Sequence, residues 1–290
     1  MIAEQLKGNR NRTKMFDGDF SRFDSSEQPW VHSCILGYIN RWYARNNSAW
    51  KPEDDQVRYV LWLDLVHSRH VTGVGSSLQY VVQWNKSLPS GHPLTTIVNS
   101  MYSLITLTAC YMKRMNGSSD MWQHAFINTF GDDNLTAVDD EVCDVFNQVT
   151  VAEDMMSLFG LTYTSGHKDR ELEPYTTIDK VTFLKRTFQR DDDPDGGLIW
   201  NSPNQGWVAP LATESWLFEG YWYKNSRDPK TDMVNRLTHT LCEASMWPRH
   251  VWDEVFPKVQ DFCYRHNIPL DIKSRADVRD LMKNRFDVWF

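Results

Sequence analysis

Two short apolar runs, His124 to Phe130 and Asn134 to Val138, meet at Gly131-Asp132-Asp133. Strand-length runs parted by so brief a polar break predict an antiparallel hairpin, although Asp-Asp is not a favoured turn pair. The same turn puts two carboxylates at the tip.

The segments around the hairpin alternate in character. Pro29 and Pro52 each fit the first turn of a helix, because proline has no N–H to waste there. The first predicted helix runs to about Arg45, and the second carries Val57, Val60, Leu61, Leu65 and Val66 on one side. Gly73 and Gly75 interrupt the chain, and Ser77 to Lys86 has β-forming character. A buried helix is predicted from about Pro93 to Met115, and an amphipathic one from Asp140 to Phe159 with Gly160 as its stop. Strand-like stretches follow at Leu161 to Thr164, Val181 to Phe188 and Leu198 to Trp200. The charged, turn-rich stretch Arg190 to Gly197 is the predicted boundary. Beyond it helices are expected over Thr213 to Asn225, Asp232 to Ser245, Arg249 to His266 and Ser274 to Arg285. The first lobe therefore mixes strands and helices, and the second is helical.

Charge narrows the function. The 290 residues carry a formal net charge of −7, whereas phosphate contacts need Lys and Arg. Any role on RNA must rest on a local basic surface, on metal ions or on a basic part outside this sequence. Five cysteines without CxxC spacing argue against a disulfide framework and for a reducing compartment. The polar, basic lead Met1 to Lys14 lacks the apolar stretch of a signal peptide. Thr96 to Met112 is too short and too polar for a membrane span.

Four constellations carry possible chemistry. Asp19 and Asp24 frame Phe20-Ser21-Arg22-Phe23, and Asp132 and Asp133 lie on the hairpin tip. Carboxylates so placed suit a pair of divalent ions about 3.5–4 Å apart, which activate a hydroxyl and neutralise a leaving phosphate. Ser90 and Gly91 precede a helix on which Thr95 and Asn99, four apart, share a face. Such small polar groups can read a sugar hydroxyl. Lys168 follows a strand and suits a proton donor or a positive charge. In Phe183-Leu184-Lys185-Arg186, strand alternation puts Phe183 and Lys185 on one face and Leu184 and Arg186 on the other. Taken singly, each has an ordinary reading: a solvated acidic turn, a helix cap, a loop lysine, a half-buried strand.

Their order and spacing together resemble the palm of RNA-dependent RNA polymerases of positive-strand RNA viruses, in the picornavirus-like group that includes dicistroviruses. Asp19-x4-Asp24 resembles motif A, and Ser90-Gly91-x3-Thr95-x3-Asn99 resembles motif B. Gly131-Asp132-Asp133-Asn134 resembles motif C, Gly160 to Thr164 with Lys168 motif D, and Phe183 to Arg186 motif E. The resemblance implies an α+β fold: an antiparallel palm sheet packed on helices over residues 1–190, then a helical thumb over 191–290. It implies that Asp19 and Asp132, with Asp133 in support, bind two Mg²⁺ or Mn²⁺ ions. It also implies that Asp24, Ser90, Gly91, Thr95 and Asn99 bind the nucleotide and read its ribose, that Lys168 protonates pyrophosphate, and that Lys185 and Arg186 lie near the primer strand. Partners would be RNA template and primer, NTPs and other viral replication proteins, in membrane-associated replication complexes of the host cytoplasm. Only eighteen residues precede Asp19, so the fingers that this family places there are expected to be largely absent, and the chain to be a fragment of a longer polyprotein. Two other readings stand beside this one: a two-metal phosphohydrolase or nuclease, and a catalytically incomplete palm-like module that binds RNA.

Overall fold

The computed structural model describes residues 2–8, 12–73, 75, 78–85, 88–167, 170–191, 206–218 and 227–286. The chain forms two compact units, Gln5–Phe183 and Leu184–Phe290 with Met1–Glu4.

A short helix, α1 (Ile2–Lys7), opens the chain. The first unit continues with β1 (Lys14–Ser21), the single turn α2 (Phe23–Ser26), α3 (Pro29–Asn46) and α4 (Pro52–Val66). Next come β2 (Arg69–Thr72), β3 (Tyr80–Gln83), α5 (Thr95–Arg114), α6 (Met121–His124), β4 (Ala125–Phe130) and β5 (Asp133–Val138). The unit ends with α7 (Gln148–Phe159), β6 (Thr162–Thr164) and β7 (Thr182–Phe183). Both predicted proline starts are present, each Pro lying in the first turn of its helix.

Two expectations are corrected here. The helix expected from Asp140 starts only at Gln148. Asn147 accepts the N–H of Thr150, and the Thr150 hydroxyl accepts the N–H of Asn147. This reciprocal cap sets the helix start and leaves residues 140–147 as turns. On α4, Trp62, Leu65 and Val66 are buried, but Val57, Val60 and Leu61 face outward. The apolar residues of α4 therefore occupy two sides, and only one of them meets the core of this unit.

β1 is the centre of the fold. The sheet has the order β4-β5-β1-β6, and its pairs are antiparallel. The two-residue period of a strand sorts β1 into faces. Phe16 and Phe20 join the core built with α5 and α7, which includes Tyr102, Leu107, Val151 and Met155. Asp17 and Asp19 alternate onto the opposite face. Gly18 is opposite Asn134 in the register, so the chain leaves the β1–β5 ladder one residue before Asp19.

In the second unit, β8 (Arg186–Thr187), β9 (Gln189–Arg190) and β10 (Trp207–Val208) precede α8 (Thr213–Trp216), α9 (Pro229–Met246), α10 (Arg249–His266) and α11 (Arg275–Phe286). Its core gathers Trp216, Leu241, Trp252, Val259 and Val278. Buried charge is paired within it: Arg279 with Asp191 at 2.9 Å and Arg186 with Glu243 at 2.7 Å. The helix expected over Thr213 to Asn225 ends at Trp216 as far as the described residues reach. The strand expected at Leu198 to Trp200 lies outside the described residues.

Candidate active site

The hairpin turn consists of Gly131 and Asp132, because Phe130 pairs with Asp133. Gly131 has φ +67° and Asp132 is not among the positive-φ residues. A glycine at the first of two loop positions is favoured hairpin chemistry. Asp133 is therefore the first residue of β5 rather than part of the turn, and the awkward Asp-Asp turn pair does not arise. The turn is anchored from α5: Ser100 Oγ accepts the N–H of Gly131 at 2.8 Å, and Ser103 Oγ donates to its carbonyl at 2.7 Å.

Asp19 lies where β1 passes the turn, between the paired Gly18 and the β6 partner of Asp19, Thr164. Its Oδ1 accepts the N–H of Phe20 at 2.8 Å. Asp132 is exposed as a whole residue, yet desolvation of its carboxyl pushes its pKa up. The charges of Asp19 and Asp24 push the same way. The three carboxylates therefore share one electrostatic field. Among the described residues, no three His, Cys, Asp or Glu side chains are gathered closely enough to hold one metal ion.

Asp24 stands at the centre of a polar cluster assembled over long sequence distances. Ser90 Oγ donates to its Oδ2 at 2.5 Å, and Asn99 Nδ2 lies 3.3 Å from its Oδ1. Asn99 is 4% exposed, and its own Oδ1 is buried without a hydrogen-bond partner. Thr95 is not in this cluster: its hydroxyl donates to the Pro89 carbonyl at 2.7 Å and closes the loop before α5. Gly91 has φ +86° and open space beside it.

The remaining candidates separate from this group. Lys168 lies outside the described residues. Leu184 and Lys185 have φ +54° and +59°, a left-handed pair that turns the chain. The strand alternation expected across Phe183 to Arg186 is thus replaced by a turn at its middle two residues. Arg186 donates to both carboxylate oxygens of Glu243 and to the Ala209 carbonyl.

A second set of residues, to which the sequence pattern gave no role although Asn134 and Tyr163 lie within its motifs, holds the sheet under the carboxylates. Asn134, 1% exposed, donates to the Gly18 carbonyl at 3.0 Å and accepts the Tyr163 hydroxyl at 2.6 Å. Asp17, 3% exposed, accepts the backbone N–H of Thr182 at 2.6 Å and its hydroxyl at 2.9 Å. The sequence signal for the first group was a polar Asn next to two aspartates and a glycine between two others. That pattern reads equally well as turn chemistry.

Comparison with known proteins places the chain in a family. The family profile described as viral RNA-dependent RNA polymerase matches residues 2–263. The genome polyprotein of Rice tungro spherical virus (strain Vt6) is 28% identical over 90% of this chain, and the match spans 7% of that polyprotein. The replicase polyprotein of Acute bee paralysis virus is 30% identical over 83% of the chain, which spans 12% of it. Among solved structures, a Sicinivirus 3Dpol RNA-dependent RNA polymerase superposes with a TM-score of 0.68 at 18% identity. That superposition covers 93% of this chain and 51% of the polymerase. With its α+β fold, its antiparallel sheet and the order of its polar clusters, the chain belongs to the viral RNA-dependent RNA polymerase family.

Proposed function

We propose that the chain is the palm and thumb of a polyprotein-borne polymerase that extends RNA on an RNA template. The observation that carries the reading is the meeting of Asp24, Ser90 and Asn99 beside Asp132 and Asp19. The Asn99 Oδ1, buried and unpartnered, is an acceptor available to a ribose hydroxyl. A phosphohydrolase has no use for such a sugar reader next to its acidic group. In the reaction, the RNA 3′-hydroxyl oxygen attacks the α-phosphorus of the incoming NTP. The bond from that phosphorus to the bridging oxygen breaks, and pyrophosphate leaves.

Polymerases of this family generally use divalent metal ions. The residues here fit them: carboxylate oxygens are hard donors, and a cation would offset both the desolvation that pushes Asp132 up and the negative charges of Asp19 and Asp24 that add to it. Asp19 and Asp132, with Asp133 in support, would hold the ions. When bound, these would lower the cost of deprotonating the 3′-hydroxyl and neutralise the leaving phosphate. Asp24, Ser90, Gly91 and Asn99 orient the ribose, Thr95 shapes their loop, and Lys168 supplies the proton to pyrophosphate. Lys185 and Arg186 are the primer-strand contacts, and Glu243 holds the Arg186 guanidinium. Such chemistry is mostly positioning and electrostatics.

Replacing Asp24 or Asn99 with alanine in the complete polymerase region is expected to cut the preference for NTP over dNTP about tenfold. That is the worth of one or two hydrogen bonds to the 2′-hydroxyl. Matched single-nucleotide incorporation measures it, and an unchanged preference would remove the ribose-reading role.

The fingers would be supplied by other parts of the polyprotein. The chain spans about half of the Sicinivirus polymerase, and the first unit carries several exposed apolar side chains. Val60 and Leu61 of α4 are 64% and 65% exposed, and Trp42, Ile97, Val71 and Val81 are exposed too. A groove of about 780 Å³ opens among Leu36, Ile39, Trp42, Leu61 and Leu65. Exposed apolar side chains around such a groove suit a binding surface, and we assign to it a polyprotein segment outside this chain. Joining that segment to the chain is expected to raise incorporation from background. Val60→Asp with Leu61→Asp should abolish the gain while leaving the circular dichroism of the chain unchanged. A gain that survives both substitutions would place the segment elsewhere. Replication in the host cytoplasm with other viral proteins belongs to the same proposal. Among the described residues no helix is long and apolar enough to cross a membrane.

A further inference from the structure

Next to Asp24 lies a buried acid–base pair that the chemistry above does not use. Glu27 follows directly on α2, the turn that carries Asp24, and is 0% exposed; His32 on α3 is 1% exposed. Oε2 of Glu27 lies 2.7 Å from Nε2 of His32. The other carboxylate oxygen and the ring Nδ1 are buried and have no hydrogen-bond partner. Withdrawing an acid and a base from water in this half-satisfied state is less favourable than packing two apolar side chains of the same volume. Stability alone therefore does not account for the pair.

Its position suggests what does. The His32 ring packs 5.4 Å from the ring of Tyr102. The Tyr102 hydroxyl accepts the N–H of Gln28 at 2.6 Å, and Tyr102 lies on α5 three residues after Asn99. Glu27 and Gln28 thus tie the end of Asp24's turn to α3 and α5. The start of the turn is closed by the Arg22 carbonyl, which accepts the hydroxyls of Ser25 and Ser26 at 3.0 Å. Burial pushes the Glu27 carboxyl up, the His32 hydrogen bond opposes this, and the charges of Asp24 and Asp132 add to it. The pair shares the field of the site without touching its carboxylates.

We propose that Glu27 and His32 are a positioning pair that holds Asp24 within hydrogen-bonding reach of Ser90 and Asn99, and so sets ribose specificity. The inference rests on the polymerase reading above. Asn99 Nδ2 already stands at 3.3 Å from Asp24, and such bonds fade beyond about 3.5 Å. A small displacement of the turn is enough to break it.

The test uses the complete polymerase region of the polyprotein. Its kcat/KM is measured for an NTP and for the matching 2′-deoxy-NTP. The variants are Glu27→Gln, the apolar double variant Glu27→Leu with His32→Phe, and Asp24→Ala. Both pair variants are expected to lower the NTP preference about fivefold or more, through a higher KM for the NTP, with kcat/KM for the dNTP held. A merely structural role would lower both substrates alike. Should Glu27→Gln fail to fold by circular dichroism, the double variant, which leaves no unpaired buried group, carries the test. An unchanged preference in a folded pair variant, while Asp24→Ala loses it, overturns the inference and spares the polymerase reading. Failure of both pair variants to fold makes the pair structural and overturns it as well. If Asp24→Ala itself keeps the preference, the ribose-reading assignment falls and this inference with it.

Discussion

Asp132→Ala in the complete polymerase region is expected to lower nucleotide incorporation at least about a thousandfold, the scale on which charge stabilisation at a reacting centre acts. The loss should not come from unfolding. The turn is set by the positive φ of Gly131 and by Ser100 and Ser103 of α5, none of which depends on the Asp132 carboxyl. Because desolvation, and then the charges of Asp19 and Asp24, disfavour its ionised form, removing it relieves an unfavourable charge, and the urea midpoint should stay level or rise slightly. Single-turnover incorporation together with urea unfolding separates the two effects. Incorporation retained near the wild-type rate would sink the metal-binding assignment of Asp132.

Gly18→Ala is expected to destabilise the sheet strongly. A β-carbon on Gly18 would stand 1.9 Å from the Tyr163 hydroxyl oxygen and 2.0 Å from Cζ of its ring. Tyr163 cannot easily yield, because its ring packs 5.2 Å from that of Phe20 and its hydroxyl is bonded to buried Asn134. Overpacking of this kind costs about 3 kcal/mol, at the upper end of its usual range. The measurement is urea unfolding of the chain. A cost below about 1 kcal/mol would show that the β1–β6 contact is looser than the geometry states. Tyr163→Phe keeps the ring but deprives Asn134 Oδ1 of its donor, and should cost about 1–3 kcal/mol. Gly18→Ala in a Tyr163→Leu background should cost less than the sum of the two changes, because they share one space.

The elements that could be read from sequence are those whose physics is local. Proline starts, the Gly160 stop of α7 and the hairpin around Gly131 each depend on a few adjacent residues, and all are present. Helix α10 spans the expected Arg249–His266 for the same reason. The errors lie where two local signals compete. Asn147 caps α7 and overrides the apolar period that begins at Asp140. Leu184 and Lys185 adopt a turn that alternation cannot foresee. The outward apolar side of α4 reads in sequence as core.

By itself the sequence determined which residues are chemically able to act, and in what order: Asp19, Asp24, the Ser90 to Asn99 series, Asp132 and Asp133. Each is defined by its own side chain and its near neighbours. Only the tertiary structure decided their company. It joined Ser90 and Asn99 to Asp24 across 66 and 75 residues, while Thr95 turned away to a loop carbonyl. It also revealed Asn134 between Gly18 and Tyr163, and Glu27 against His32. A hydrogen bond between distant segments depends on the register of strands and the packing of helices, which no single segment encodes, so these partners became visible only once β1, β5, β6 and α5 were assembled.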